Sequence, residues 1–222
     1  MDGNIRQLTL FEGYDLNIPY KNLQATSATV FRTIQANKWA TLSLPFALTK
    51  PDGWEVRELV SVDRNDGIYT LNFSEAGTID PGKPYMVRTS LPVTSITAEE
   101  VEVLSEAAAT NVDDVSMIAS FAPGSVPAGD YFISNNAFQL AADNTNTINA
   151  FHAYFHIDGG SNVKALLANY NGNANGITLQ TVNSKSSNNK WFDLAGRRRS
   201  TPQRGINIVC RPDGTVQKLI VP

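Results

Sequence analysis

The chain has 222 residues, a formal net charge of −3, 42% hydrophobic and 18% charged residues, a balance that suits a globular protein with a sizeable core and excludes a disordered or collagen-like one. A single cysteine, Cys210, excludes an intrachain disulfide and reads as an apolar strand position. No apolar run approaches the ~20 residues of a membrane-crossing helix. No basic, apolar leader follows Met1, so the chain is expected to be either cytoplasmic or a piece of a longer exported protein.

Short runs rich in Thr, Val, Ile, Phe and Tyr, broken by Gly, Pro, Asn and Asp, predict an all-β fold, an antiparallel β-sandwich. In chain order, Leu8 and Leu10 alternate before Glu12-Gly13, and Ala25 to Ile34 forms a second β-rich run, with Pro19 keeping the stretch between them out of a central strand. Trp39 to Phe46 alternates until Pro45 and predicts a half-buried strand. Glu55 to Val62 and Ile68 to Phe73 are joined through Asn65-Asp66-Gly67, a hairpin whose Asp-Gly pair supplies positive φ. Asp63, Asn65 and Asp66 also offer oxygens to a calcium ion, but the hairpin turn accounts for the same residues.

Two proline-glycine turns lead into short strands, Pro81-Gly82-Lys83-Pro84-Tyr85 and Pro127-Ala128-Gly129-Asp130-Tyr131, set 46 residues apart. Between them, Thr97 with Glu100 fits the start of a helix running to Ala109, while Val101 and Val103 alternate as in a strand. Asn149 to Ile157 and Ser161 to Leu167, on either side of Asp158-Gly159-Gly160, are expected to pair as a hairpin. Ile177 to Val182 closes the body as a strand. The polar segment 183–189 reads as a linker between a body over 1–182 and a three-stranded β-appendage over 190–222. The two parts differ in charge: residues 1–189 carry 11 basic and 19 acidic side chains, a balance of −8, and residues 190–222 carry 7 and 2, a balance of +5.

Catalytic patterns are absent from the sequence. His152 and His156 are four apart, but Phe151, Ala153, Phe155 and Ile157 alternate against them, and in a strand that spacing separates two rings by about 13 Å, too far for one metal. No serine lies in a Gly-x-Ser-x-Gly elbow, and no phosphate-binding glycine loop joins a strand to a helix. Neither a catalytic residue, a metal ligand nor a cofactor is therefore assigned. The basic run Arg197 to Arg199 sits on a chain whose body is acidic, which disfavours nucleic acid as a partner. Flat aromatic side chains are the better prospect for recognition, because sugar rings stack on them: Trp39, Trp54, Tyr85, Tyr131, Tyr154, Tyr170 and Trp191 are candidates for binding a glycan, although each is individually also a candidate for the core.

Six phrases in order, LTLFEGYDLNIPYKNLQATSATVFRTI, KWATLSLPFAL, PGKPYMVR, VPAGDYFISNNAFQLA, INAFHAYFHI and WFDLAGRRRSTPQRGINIV, together resemble the β-rich C-terminal region of exported proteins of Bacteroidetes. The last part is similar to the sorting tail of type IX secretion substrates, matched by Phe192, Asp193, Leu194, Gly196 and Arg197, then Gly205, Ile206, Ile208 and Val209, then Lys218. Asn207 stands where that tail usually has tyrosine, and His152 where arginine is commoner. The resemblance implies an extracellular or outer-membrane surface location and a structural, interaction or sorting role at the end of a larger protein, with another surface protein or a glycan as partner. The alternative is a carbohydrate-binding module.

Overall fold

The computed structural model describes residues 3–18, 21–159, 163–170, 190–192, 197–199, 205–210 and 216–221. Among these the fold is all-β, and no helix forms that is long and apolar enough to cross a membrane. The chain divides into two compact units, Met1–Thr181 and Val182–Pro222. The segment 183–189, read as a linker, and the strand expected over 177–182 lie outside the described residues.

The first unit stacks three main sheets around two cores. The first sheet has the order β1 (Gly3–Phe11), β2 (Asn22–Ile34), β9 (Val93–Leu104). The central sheet has the order β17 (Ala165–Tyr170), β6 (Ile68–Glu75), β5 (Trp54–Asn65), β8 (Tyr85–Thr89), β3 (Ala40–Leu42). The third runs β10 (Ala109–Val112), β11 (Val115–Ser120), β16 (His152–Ile157), β13 (Tyr131–Ser134), β14 (Ala137–Leu140). Strand β8 shows why the middle sheet is apolar on both faces: Tyr85 and Val87 enter the first core with Val30, Leu44 and Phe46, while Met86, of opposite parity, enters the second with Met117, Phe138 and Phe155. Each fully buried ring such as Phe46 or Phe155 contributes roughly 1.5–3 kcal/mol through the water it sheds.

The central and third sheets share one plan. In the first, β6-β5-β8-β3 are neighbours, and the short β7 (Thr78–Ile79) pairs with β4 (Leu48–Thr49). In the second, β11-β16-β13-β14 are neighbours, and β12 (Gly124–Ser125) pairs with β15 (Thr147–Ile148). Exchanging β6, β7, β8 for β11, β12, β13, and β3, β4, β5 for β14, β15, β16, preserves every pairing, all of them antiparallel. Only the chain order is cyclically shifted. The two proline-glycine turns open the equivalent strands β8 and β13, and Tyr85 faces Leu42 as Tyr131 faces Leu140.

The hairpin at Asp66-Gly67 forms as the turn residues predict, with φ of 47° and 79° at the two positions. Of the two readings left open from Thr97, the strand forms and the helix does not: Thr97 to Leu104 belong to β9, whose residues fill the ladder with β2 from Leu23↔Val103 to Val30↔Ile96. Other expectations are corrected. The segment after Gly159 does not pair with β16, since β11 and β13 already occupy both edges of that strand. It crosses to the central sheet, where β17 lies parallel to β6. The expected fold class, an all-β sandwich of antiparallel sheets, is shown, with two parallel pairs, β17 with β6 and β1 with β2, added to it. The strand expected over Trp39 to Phe46 shrinks to Ala40–Leu42, and Thr41 and Ser43 are buried along with Leu42 and Leu44, so the segment is enclosed on both sides.

The second unit forms a four-stranded sheet in the order β19 (Arg198–Arg199), β18 (Lys190–Phe192), β20 (Gly205–Cys210), β21 (Val216–Val221). That is one strand more than expected, because the chain turns back after Phe192 and lays Arg198 and Arg199 opposite Phe192 and Trp191.

Gly82 ties the central turn to its surroundings. It has φ +77°, its N–H donates to the Leu44 carbonyl, its own carbonyl accepts from Ala108 N–H and Ser43 Oγ, and an added Cβ would sit 3.2 Å from the Glu106 carbonyl oxygen. Gly82→Ala is therefore expected to cost about 1–3 kcal/mol in urea unfolding. Gly77→Ala, where a Cβ meets nothing within 4 Å, is the control and is expected to change the midpoint little.

Candidate functional site

The site begins with a shift of parity in β2. Leu23 and Ala25 are buried, the ladders to both neighbouring strands are interrupted at Thr26 without a change of register, and the inward row then continues as Ala28, Val30, Arg32 and Ile34, with a register shift against β9 between Phe31 and Ile34. An arginine thus occupies a core position, 2% exposed. Burying a guanidinium is costly unless its donors are satisfied. Two of them are: Nη1 donates to the Phe151 carbonyl and Nη2 to the Thr41 carbonyl. Nε has no hydrogen-bond partner among the described residues. Burial pulls the Arg32 pKa down to about 10, and the nearby Glu12 carboxylate opposes the shift, so the group stays charged at neutral pH.

The three sheets meet at these carbonyls. Phe151 has φ +66°, a strained conformation for a bulky residue. It is held by Phe151 N–H to Ser120 O at 2.7 Å, by Ser43 N–H to Phe151 O at 3.0 Å, and by Arg32. Thr41 Oγ1 donates to Ala153 O at 3.0 Å and accepts from Ala153 N–H at 2.9 Å, fastening β3 to β16. Beside Arg32, Glu12 accepts from His152 Nε2 at 3.2 Å and from Thr33 N–H at 3.3 Å. The His152 bond, followed by those from Thr33 and the field of Arg32, holds the Glu12 carboxyl below the usual range despite its burial. Burial, aided by Arg32, pushes the His152 imidazole down to about 4, so His152 is neutral at pH 7.

Next to this cluster lies a cleft of about 250 Å³, lined by Arg32, Thr33, Ile34, Gln35, Lys38, Trp39, Ala40, Thr41, Ile133, Ser134, Asn135, Asn136 and His152. Its rim consists of the β2–β3 connection and the β13–β14 turn. Asn37, Asn135 and Asn136 all have positive φ, a conformation asparagine tolerates. Asn136 Oδ1 accepts from Trp39 N–H at 2.9 Å and so joins the two rims.

His156 sits apart from this cluster. On the outward parity of β16, it approaches Asp130 Oδ1 at 2.6 Å and Asp158 Oδ1 at 3.1 Å. The hydrogen bond with Asp130 leads the interactions that raise its pKa. No group of three or more His, Cys, Asp or Glu side chains suited to a metal ion occurs among the described residues. Of the calcium candidates, Asp63 accepts from Asn72 Nδ2 and Asp66 pairs with Lys164.

The aromatic candidates do not assemble into an exposed row. Trp39, Tyr85 and Tyr131 are 8%, 1% and 2% exposed. Tyr170 stacks on Trp39 with centroids 4.0 Å apart, and the Arg88 guanidinium lies 5.5 Å from the Trp39 centroid. Trp54 is partly buried against the first core, and Tyr154 is partly buried on the outward parity of β16. The structure thus brings together Trp39 and Tyr170, and of the candidates only Trp39 lines the cleft. The exposed aromatic cluster is a different one: Phe11, Phe31 and Tyr14, at 48%, 43% and 73%. Its sequence signal is the parity of Phe31, opposite to that of Val30 and Arg32.

Of the sorting-tail positions, Phe192 lies in β18, Gly205, Ile206, Ile208 and Val209 in β20, and Lys218 in β21. Ile208 pairs with both Phe192 and Lys218. Arg197 is exposed just before β19, while Asp193, Leu194 and Gly196 fall outside the described residues, as does the side chain of Trp191.

Together these features define an all-β protein of stacked sheets with a polar cleft where three of them converge. No protein-family model, curated protein or solved structure matches the chain.

The two histidines give stability opposite pH dependences. His152 has a folded pKa below its ordinary 6.5, so its contribution is complete above pH 6.5 and is lost as pH falls. By about pH 5 the loss amounts to about 2 kcal/mol. The folded pKa of His156 is raised, so its contribution is complete below 6.5 and is lost as pH rises through the folded value. Urea midpoints against pH are expected to peak near pH 6.5, with His152→Gln flattening the acid limb and Asp130→Asn the alkaline one.

Proposed function

We propose that this chain is a non-enzymatic β module that displays and sorts a larger exported protein at the cell surface, its body acting as a spacer or interaction unit and its basic end as the sorting element. The observation that carries this reading is the separate compactness of Val182–Pro222. Within it, motif residues that are scattered in sequence fall on adjacent strands, with Phe192 and Lys218 both paired to Ile208. A recognition tail presents its signature on a scaffold distinct from the cargo, and the opposite charge of residues 190–222, +5 against −8 for residues 1–189, gives the tail a distinct electrostatic identity.

In the body the two imidazoles belong to separate hydrogen-bonded clusters and are engaged by carboxylates, His152 by Glu12 and His156 by Asp130 and Asp158, and in a strand the two rings are too far apart to work together. The glycan-platform alternative is not carried by Trp39, Tyr85 and Tyr131, which lie in the cores.

The test joins a reporter to the amino-terminal end of the full chain and expresses it in a type IX-competent bacterium and in a translocon-deficient strain. Reporter digestion by protease added to intact cells is expected in the competent strain, and to disappear both in the deficient strain and when the chain is truncated after Thr181. Undiminished surface exposure of the truncated form would refute the sorting role.

A further inference from the structure

Six of the cations described in the first unit sit in ion pairs with carboxylates: Lys50, Arg57, Arg64, Lys83, Arg88 and Lys164. Arg6, Lys21, Arg32 and Lys38 have none among the described residues. Two of those four, Arg32 and Lys38, line the same cleft, and no Asp or Glu lines it with them. Glu12, which accepts from the lining His152 and lies near Arg32, offsets one of these charges, so the cleft carries the excess of a single positive charge, at Lys38, within residues 1–189, whose balance is −8.

The two cations act differently. Arg32 is closed off from solvent, and its η donors are committed to carbonyls. It therefore acts only through its field, which the nearby Glu12 carboxylate partly offsets. Lys38 is exposed on the rim and can reach an anion directly. The remaining polar lining is neutral: the amides of Gln35, Asn135 and Asn136, the hydroxyls of Thr33, Thr41 and Ser134, and the imidazole of His152, groups that both donate and accept hydrogen bonds. At about 250 Å³ the space lies just below the range of about 300–1,000 Å³ typical of drug-sized ligands.

From charge, hydrogen-bonding character and size together, we infer that the cleft binds a small polyhydroxylated carboxylate, of the sugar-acid kind, with the carboxylate near Lys38 above the buried Arg32 and the hydroxyls on the asparagine-rich rim. This goes beyond the sorting role and is independent of it.

The experiment titrates the full chain with D-glucuronate, D-glucose and acetate, and follows backbone amide shifts by NMR. D-glucuronate is expected to saturate with a Kd of about a millimolar, to shift residues 35–38 and 134–136, and to weaken as salt is added. Lys38→Gln is expected to weaken it about fivefold, as for loss of one exposed charge contact. Asn135→Asp, a change that the positive φ at that position tolerates, is expected to weaken it as well. Glucose binding equally well would overturn the anionic part, and acetate binding equally well would overturn the polyhydroxylated part. Absence of saturation at concentrations on the order of tens of millimolar, or shifts confined to other regions, would overturn the site as a whole. None of these variants alters residues 182–222, so failure here and failure of surface export are separate outcomes.

Discussion

The buried guanidinium of Arg32 is the constraint on which the first unit depends. It lies on β2 of the first sheet and bonds the carbonyl of Thr41 in the central sheet and that of Phe151 at the entry to the third. A charge in such a place is unfavourable by itself. What makes it tolerable is a set of oriented dipoles together with the nearby Glu12 carboxylate. Glu12 is in turn fixed by His152 and by the Thr33 amide. A network of this kind favours one geometry, because its bonds from Arg32 and Glu12 form only when the strands that carry their partners lie as they do here. An apolar residue at the same position would pack, but it would leave the Thr41 and Phe151 carbonyls without that donor and would place no demand on how β3 and β16 approach one another.

The cyclic correspondence between the central and third sheets explains why the joint lies there. Both sheets run from a hairpin-linked strand, through a short strand and a proline-glycine turn, to the strand opened by Tyr85 or Tyr131. Their edge strands β3 and β14 are equivalent. The cyclic shift sends the chain into β3 directly from β2, whereas β14 follows the Asn135-Asn136 turn. These two entries, one from the first sheet and one from a tight turn, face each other across the cleft through Trp39 N–H and Asn136 Oδ1. The opening is thus a consequence of connectivity: the termini of strands from different sheets converge there, and backbone that has left one ladder without joining another needs side-chain partners.

What the sequence reveals follows from the range of the forces involved. The Asp66-Gly67 hairpin and the outward parity of His152 and His156 are legible, because turn chemistry and alternation are local. The partners of those strands are not. That β17 should cross to β6, or that Glu12 should reach His152 across 140 positions, depends on which sheet edges remain open after the rest has assembled. The ambiguity at Thr97 to Ala109 has the same origin, since its polar, exposed outward residues fit a helix until β2 supplies a ladder. Arg32 is an intermediate case. Once the parity of Ala28, Val30 and Ile34 is taken as inward, a charged residue in that row conflicts with the pattern, and such local conflicts tend to mark functional or structurally strained positions. The interruption at Thr26 conceals this, because extending the parity of Leu23 and Ala25 would instead turn Phe31 inward and Arg32 out.

The same geometry bears on how this protein recognises anything at all. Its aromatic rings largely use their faces on one another: Trp39 on Tyr170 at 12° between planes, Phe11 on Phe31 at 14° and 5.1 Å, and Phe138 edge-on to Phe155. The exposed pair of phenylalanines is likewise a stack of rings on neighbouring strands, each covering one face of the other. At the inferred cleft the groups that the turns hold open are the amides of Asn135 and Asn136 and the ammonium of Lys38, with Arg32 beneath them, held by the surrounding carbonyls.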